Sequence, residues 1–306
     1  MSYYIGVDVG GTNIKAGIVY KDSVIKRINL KTQADRGPEE CLNQIRRAIK
    51  NFINEGEGIG IGIAGIIDSK KGIVRYSPNL IGWEDIRLVS ILKKDFKKPV
   101  RILNDVNAIL IGEWIYGAGK GYKNIFLFTL GTGVGGAGVC EGRLLFGANG
   151  FAGEFGHTVI NFSGPKCLCG NYGCLERYVG SRYIIELAHN KIKKERTSLS
   201  NYKNLTPKII ADEAKKGDRI AIEIFEEVGY YIGIGVANIV NLFDPEVVII
   251  SGGISRAGKI LFEPIKRTVR QRILGPQYRR LKIVPAKLGD EAGILGSAFF
   301  VANLDL

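Results

Sequence analysis

Three apolar segments of this chain each run directly into a glycine-rich turn: IGVDVGGT at 5–12, FLFTLGTGVGG at 126–136 and VVIISGGI at 247–254. β-Branched residues followed by glycine are typical of a strand that ends in a tight turn. Because glycine has no Cβ, such turns let backbone amides approach a ligand, and successive N–H groups suit phosphate oxygens. One such turn is usually only a turn. Three of them, spread over both halves of the chain, favour a nucleotide held between two lobes.

Other common site patterns are missing from the sequence. The turns match neither GxGxxG followed by a helix nor the P-loop pattern GxxxxGK[ST]. HExxH is also absent, which argues against a metallopeptidase. A nicotinamide enzyme and a P-loop enzyme are therefore disfavoured.

The order of the predicted elements indicates an α/β protein. Three strands (3–9, 15–20, 24–30) precede a helix (38–54), a strand (58–65), a helix (87–96), a strand (100–104) and a helix (105–116). The chain then repeats a strand, a glycine turn and a strand, which suggests an internal duplication. Further helices are predicted at 174–188, 206–216, 218–242 and 259–274, with strands at 246–253 and 281–286 and a terminal helix.

A chain of 306 residues is long enough for two domains, each with its own core. The glycine-rich stretch GAGKGY at 117–122 is the best linker candidate. We predict an N-terminal α/β domain at 1–117 and a C-terminal α/β domain at 118–290, with a metal-binding loop at 156–176. The helix at about 291–306 is expected to pack back on the first domain.

Composition narrows the class of protein. Hydrophobic residues make up 45% and charged residues 24% of the chain, as in an average globular protein. No signal peptide and no apolar run long enough for a membrane span is visible, so we expect a cytoplasmic protein without a membrane partner. The net charge of +13 indicates nucleic-acid binding, attraction of an anionic substrate or a lysine-rich surface. The scattered positions of the charges favour the surface.

Two acidic positions stand at strand ends. Asp8 interrupts an apolar strand two residues before Gly10, and a buried acid there needs a partner. It is a candidate for orienting Mg²⁺ or its waters, and the alternative is an aspartate bonded to local turn amides.

Asn104 and Asp105 begin a helix, where both residue types are favoured N-caps. In the functional interpretation one of them caps the helix, while Asp105 accepts a proton from a hydroxyl.

Residues 156–176 contain three of the five cysteines and one of the two histidines. The candidate ligands are His157, Cys167, Cys169 and Cys174, with the spacing H-x9-C-x-C-x4-C. Four N and S ligands suit a closed tetrahedral zinc site with a structural role. Packed free thiols and a redox pair are the alternatives, although a redox pair prefers C-x-x-C. The flanking Glu154 and Glu176 are either carboxylates for substrate hydroxyls or solvated surface residues.

The motifs DVGGT (8–12), LND (103–105), GTGVGG (131–136), GEFGH (153–157) and CLCGNYGCLE (167–176) occur in this order. The chain resembles the ROK family of sugar kinases over essentially its whole length, and the last motif is highly specific. The resemblance implies the actin-like, ribonuclease-H-like ATPase fold, with two α/β domains and a cleft between them.

Site roles follow from the resemblance position by position. Asp105 looks like the general base, and residues similar to the family's sugar ligands are Asn79, Asn104, Asp105, Glu154, His157 and Glu176. His157 would bind sugar and coordinate zinc. The residues that match the family's nucleotide-binding turns are Gly10, Gly11, Thr12, Lys15, Gly131, Thr132, Gly133, Gly252 and Gly253. Asp8 joins them as a candidate cofactor-binding residue. Ala137 departs from the family's longer glycine run.

The activity that this resemblance implies is ATP-dependent phosphorylation of a hexose, with glucose at its 6-hydroxyl as the first choice. The expected cofactors are ATP, Mg²⁺ and structural Zn²⁺, and a homodimer or higher homo-oligomer is common in the family. Kinases for fructose, N-acetylmannosamine or N-acetylglucosamine share every motif. Polyphosphate or ADP as donor, a sugar-responsive regulator and a purely structural zinc protein also stay open. The kinase motif begins at residue 8 without a preceding helix-turn-helix region, so no nucleic-acid partner is expected.

Overall fold

The computed structural model describes residues 2–303, which form alternating strands and helices. The strands are β1 (Tyr3–Val9), β2 (Asn13–Tyr20), β3 (Ser23–Lys31), β4 (Gly58–Ile63), β5 (Ile66–Asp68), β6 (Ile73–Tyr76), β7 (Glu84–Ile86), β8 (Val100–Asn104), β9 (Ile125–Leu130), β10 (Val134–Cys140), β11 (Arg143–Leu144), β12 (Val247–Ser251) and β13 (Lys282–Pro285). The helices are α1 (Pro38–Lys50), α2 (Leu88–Phe96), α3 (Asp105–Tyr116), α4 (Glu176–Val179), α5 (Ser181–Ile192), α6 (Pro207–Lys215), α7 (Arg219–Phe243), α8 (Lys259–Arg272) and α9 (Ala292–Ala302). The predicted α/β class is confirmed.

Some predicted elements differ from the structure. The single helix predicted at 174–188 is two helices, because Gly180 takes an extended conformation between α4 and α5. The predicted sequence of elements also lacks the three-stranded sheet β5-β6-β7, whose strands are too short to show an alternating pattern. The terminal helix ends at Ala302, and residues 304–306 of the predicted helix lie outside the described residues.

The two larger sheets have the same strand order. The first is β3-β2-β1-β4-β8 and the second is β11-β10-β9-β12-β13. Strands β1, β4 and β8 are parallel to one another, as are β9, β12 and β13. In each sheet the central strand, β1 or β9, is followed along the chain by a glycine turn and then by its neighbour in the sheet, β2 or β10. This shared order supports the internal duplication that the sequence suggests.

The chain divides into two compact units. The first unit takes the residues up to Lys123, Ala137–Gly153 and the residues from Ala286 onward, and the second takes Asn124–Gly136 and Glu154–Pro285. The domain limits predicted at 117 and 290 stay predictions. Within residues 2–303 no helix has both the length and the apolar character that a membrane crossing requires.

A glycine-lined face of the first sheet brings helix α9 into backbone contact with the strands. A Cβ on Gly6 of β1 would lie 2.0 Å from the Ile294 carbonyl oxygen, and one on Gly60 of β4 would lie 1.8 Å from the Ser297 carbonyl oxygen. Gly296 of α9 meets α3 in the same way, 1.8 Å from the Ala108 carbonyl oxygen. No side chain larger than hydrogen fits at these positions.

The opposite face of β4 explains why its sequence alternates glycine with isoleucine. Ile59, Ile61 and Ile63 are fully buried and pack with α1 residues such as Ile45 and Ile49. Burial of one such side chain stabilises the fold by about 2 kcal/mol. The strand thus has one face for close helix contact and one face for a conventional apolar core.

A buried carboxylate on α3 holds two loops of the first unit. Glu113 accepts hydrogen bonds from the amides of Lys287 (2.9 Å) and Leu288 (2.7 Å) through Oε1. Its Oε2 accepts from the amide of Ala118 at 2.8 Å. The side chain is fully buried, so no water would be at hand to accept these hydrogen bonds if the carboxylate were lost. Glu113 therefore fixes the chain just after α3 and just before α9.

We expect Glu113→Gln to lower the free energy of unfolding by about 2 kcal/mol. The amide keeps one acceptor oxygen but turns an NH₂ donor towards backbone N–H groups. Urea denaturation followed by circular dichroism measures the change. Glu84→Gln, at an exposed position of β7, is the matched control and should shift stability by less than about 0.5 kcal/mol. Equal free energies of unfolding for the two variants would show that the Glu113 hydrogen bonds do not stabilise the fold by this amount.

Candidate active site

The first group of predicted site residues lies at the carboxyl ends of parallel strands. Asp8 of β1 is level with Gly62 of β4, which is level with Leu103 of β8. Neighbouring strands lie about 4.8 Å apart, so Asp8 and the start of α3 are separated by about 10 Å along the same edge. In α/β sheets this edge is where ligands bind.

Asp8 sits in a mixed electrostatic environment. It faces Lys15 across the β1–β2 pair, and Lys15 Nζ forms an ion pair with Asp290 Oδ1 at 2.9 Å. Burial raises the pKa of Asp8 to about 6, against the opposing effect of Lys15 and with a smaller contribution from Asp290. Gly293 at the start of α9 is so close that a Cβ there would lie 2.8 Å from Asp8 Cγ. The carboxylate is therefore destabilised unless a cation joins it.

In the turn after β1, the backbone amide of Gly10 already has a hydrogen-bond acceptor within the turn. The N–H of Gly10 donates to the Asn13 carbonyl at 3.0 Å, so the alternative in which this amide binds Asp8 is not what the structure shows. Thr32, which the sequence did not single out, donates its hydroxyl to the Gly10 carbonyl at 2.7 Å. A Cβ on Gly11 would lie 3.1 Å from Asn79 Cβ. Asn79 thus lies against the turn that also contains Thr12.

At the start of α3, Asn104 is the N-cap. Its Oδ1 accepts from the amides of Val106 (2.8 Å) and Asn107 (3.3 Å), and its Nδ2 donates to the Gly65 carbonyl at 3.0 Å. One N–H of the Asn104 amide is left for a ligand. Because Asn104 satisfies the helix terminus, the Asp105 carboxylate is not needed as a cap.

The second group of predicted residues belongs to the second unit. Gly131, Thr132 and Gly133 follow β9, and the N–H of Gly131 donates to the Gly133 carbonyl at 3.0 Å. Gly252 follows β12, which pairs with β9 in parallel. Its φ is +89°, and a Cβ there would lie 2.3 Å from the Leu130 carbonyl oxygen. The turns at 131–133 and 252–253 therefore lie side by side at the carboxyl ends of neighbouring strands.

Glu176 connects this turn to the cysteine-rich loop. Its Oε2 accepts from the amide of Val134 at 3.0 Å, and its Oε1 lies 4.0 Å from Cys167 Sγ. A Cβ on Gly133 would lie 2.5 Å from Glu176 Oε2, so only glycine allows this contact. Glu176 is thus an ordered residue and not a solvated surface side chain.

The four candidate metal ligands come together in the structure. Donor atoms of His157, Cys167, Cys169 and Cys174 all lie within 4.8 Å of one another. Cys169 Sγ is 3.7 Å from Cys174 Sγ, and Cys167 Sγ is 3.9 Å from His157 Nδ1. A tetrahedral zinc ion with Zn–S near 2.3 Å and Zn–N near 2.0 Å implies edges of about 3.5–3.8 Å. The residues fit such an ion, and none of the five cysteines is in a disulfide.

The thiols in this cluster differ in acidity. Burial and hydrogen bonds with Cys169 and Cys167 raise the pKa of Cys174 to about 12. The pKa of Cys169 is lowered, chiefly by a hydrogen bond from the Asn171 amide. A metal that binds thiolates must therefore displace protons, and its affinity rises with pH.

The remaining predicted sugar ligands lie on the same loop. The Glu154 carbonyl accepts from the His157 amide at 3.0 Å, and the Glu154 side chain is exposed. Gly156 lies between them against β10, where a Cβ would be 2.0 Å from the Val134 carbonyl oxygen. With Nδ1 of His157 facing the sulfurs, Nε2 is the ring nitrogen left for another partner.

Comparison with known proteins gives the family. The ROK family profile matches residues 4–303. The chain belongs to the ROK family. A glucokinase from Thermotoga maritima is 38% identical, over 97% of this chain and 96% of the relative. A xylose repressor from Caldicellulosiruptor bescii is 39% identical, over 98% of this chain and 78% of the repressor.

Solved ROK structures share the fold. A Streptomyces griseus ROK glucokinase in complex with glucose and AMPPNP has a TM-score of 0.85 and 32% identity. The match covers 97% of this chain and 98% of that one. The predicted actin-like ATPase fold of the ROK sugar kinases is confirmed.

We expect Asp8→Asn to remove a pH dependence of stability. The Asp8 pKa is raised from 3.8 to about 6 on folding, so the wild type loses stability as pH rises through this window. The variant should match the wild type near pH 4 and exceed it above pH 6, by up to about 3 kcal/mol. Urea denaturation between pH 4 and pH 8 without divalent cations measures this. A variant less stable than the wild type at pH 7 would rule out the buried-charge cost.

Proposed function

We propose that this protein is an ATP-dependent hexokinase that transfers the γ-phosphate to the 6-hydroxyl of glucose. ROK glucokinases among its relatives support this activity. The observation that carries the proposal is the arrangement at the start of α3, where Asn104 caps the helix and Asp105 is the first helical residue, at the carboxyl end of β8. Asp105 shares the carboxyl edge of the sheet with the Gly10–Thr12 turn.

In the proposed reaction Asp105 accepts the proton of the sugar 6-hydroxyl. The sugar oxygen forms a bond to the γ-phosphorus as the bond to the β,γ-bridging oxygen breaks, and ADP leaves with that electron pair. Backbone amides of the glycine turns stabilise the charge on the transferred group. Asp8 is the residue proposed to hold Mg²⁺ or its waters, and the ion would supply neutralisation of phosphate charge.

Sugar recognition is proposed for the polar groups that the fold leaves available. These are the exposed Asn79 and Glu154, the second N–H of the Asn104 amide, His157 Nε2 and Glu176 Oε1. Hydroxyl groups suit such mixed donors and acceptors, because each hydroxyl donates once and accepts twice.

We propose Zn²⁺ as the occupant of the His157, Cys167, Cys169 and Cys174 cluster, with a structural role. The donor set and its spacing support this choice of metal. Four protein ligands fill a tetrahedral site, so the ion would order the loop that carries Glu154 and Glu176. A cytoplasmic homodimer or higher homo-oligomer completes the proposal, and light scattering measures its mass.

We expect Asp105→Asn to lower kcat by about two orders of magnitude or more, because an amide does not accept the hydroxyl proton. Glucose binding, measured by calorimetry, should be largely kept. Asp22→Asn, at an exposed turn position, is the control and should leave kcat unchanged. Near-normal turnover of Asp105→Asn would remove the residue from its proposed role.

We expect one zinc ion per chain in the purified protein and less than half of that in Cys169→Ser. Elemental analysis measures the metal content. Chelation should lower the thermal midpoint and weaken glucose binding together, because the metal-binding loop carries His157 and Glu176. A metal-free protein with unchanged stability and sugar affinity would contradict the zinc proposal.

The second candidate is a sugar-responsive regulator, favoured by the 39% identity to a xylose repressor and by the net charge of +13. An assay of ADP release over glucose, fructose, N-acetylmannosamine and N-acetylglucosamine, with and without Mg²⁺, identifies the kinase and its sugar. Sugar binding without turnover, together with retention on duplex DNA at physiological salt, would favour the regulator.

A further inference from the structure

The three glycine turns share a hydrogen-bonding arrangement that cannot be read from the sequences of the turns. In each turn a hydroxyl group donates a hydrogen bond to the carbonyl of the first glycine. Thr32 donates to Gly10, Ser181 to Gly131 and Ser255 to Gly252, and each bond is 2.7 Å long. The donors come from three different local structures, so one shared local motif does not explain the pattern.

The donors differ in their distance along the chain. Thr32 is fully buried beyond the end of β3, 22 residues from Gly10, and its amide also holds the Thr12 carbonyl at 3.0 Å. Ser181 is the first residue of α5, 50 residues from Gly131, and donates both its hydroxyl and its amide (2.9 Å) to the same carbonyl.

The third donor is local, because Ser255 lies three residues after Gly252. None of the three hydroxyls acts as the N-cap of a helix, since α5 is capped by Gly180 and the short helix Ile254–Ala257 by Gly253. The role of these side chains is therefore at the turns.

A fixed carbonyl determines where the next amide points. The C=O of one residue and the N–H of the next belong to the same planar trans peptide and point in opposite directions. The described residues contain no cis peptide bond. Anchoring the carbonyls of Gly10, Gly131 and Gly252 therefore directs the amides of the following residues, Gly11, Thr132 and Gly253, away from the anchoring hydroxyls.

These three amides are available to accept a ligand as their hydrogen-bond partner. Among the hydrogen bonds of residues 2–303, the N–H groups of Gly11, Thr132 and Gly253 have no protein acceptor. Thr132 and Gly253 are exposed and Gly11 is partly exposed. Space is open beside Gly131 and Gly253, where an added Cβ would meet nothing within 4 Å.

We propose that Thr32, Ser181 and Ser255 are positioning residues that aim the amides of Gly11, Thr132 and Gly253 at the oxygens of a bound nucleotide. The proposal rests on the proposed function, in which these turns bind ATP. Without the hydroxyl, the peptide group is held less firmly, even at Gly131 where the Ser181 amide still donates to the carbonyl, and the next amide spends less time directed at the ligand. The site then binds nucleotide more weakly, while the sugar ligands are untouched.

The test is AMPPNP binding with Mg²⁺, measured by calorimetry on Thr32→Val, Ser181→Ala and Ser255→Ala. The loss of one hydrogen bond should raise each Kd by about fivefold. The KM for ATP should rise by a similar factor, with kcat within about twofold of wild type. The Kd for glucose without nucleotide should not change. Ser181→Thr and Thr32→Ser keep the hydroxyl and should bind AMPPNP as the wild type does.

Thr206→Ala separates positioning from stability. Thr206 caps α6 through a bond from the Ile209 amide, so its loss should lower stability without changing the AMPPNP affinity. Wild-type affinity in the three hydroxyl-free variants would overturn the positioning role and leave the kinase proposal intact. A wild-type protein that binds no AMPPNP at millimolar concentration would instead overturn both.

Discussion

The close contact of helix α9 with the glycine face of the first sheet is the constraint on which the first unit depends. Backbone oxygens of Ile294 and Ser297 occupy the space where Cβ atoms of β1 and β4 would lie. This approach brings the start of α9 next to Asp8, and the same helix meets α3 through Gly296 and Ala108. The helix whose first residue is Asp105 and the strand that holds Asp8 are thus packed against one common element.

In the second unit one side chain has a comparable role. Glu176 lies two residues after Cys174, the last cysteine of the metal cluster. Its carboxylate accepts a hydrogen bond from the amide of Val134, beside the glycine turn. Gly133 leaves room for the carboxylate, and Gly156 lets the short helix Phe155–His157 lie against β10. Residues proposed to bind sugar and residues proposed to bind phosphate are therefore parts of one hydrogen-bonded substructure.

The sequence predicts the features that depend on local chemistry. Apolar segments that end in glycine predict strands and turns correctly, and the spacing of one histidine and three cysteines predicts their cluster. The order of elements was sufficient for the α/β class. The small sheet β5-β6-β7 escaped prediction because strands of three or four residues carry too little pattern.

Features that depend on backbone atoms far away along the chain could not be predicted from the sequence. The hydroxyls of Thr32 and Ser181 act on carbonyls 22 and 50 residues away, and a carbonyl has no sequence signature. The break at Gly180 is of the same kind, since this glycine lies against the Thr132 carbonyl oxygen, 3.0 Å from where its Cβ would be. The resemblance to ROK kinases supplied site roles by position, but it did not include these supporting residues.

The contacts of Glu113 have a consequence for how the chain unfolds. One carboxylate holds Ala118 and Lys287, so the residues between them form a loop whose ends are pinned together. It works as a non-covalent counterpart of a cross-link, because closing a loop reduces the conformational entropy of the open chain. If the second unit opens while the first stays folded, its two segments, Asn124–Gly136 and Glu154–Pro285, become loops whose ends are fixed in the first unit. The search for the native pairing of β9 with β12 then starts from a restricted set of conformations.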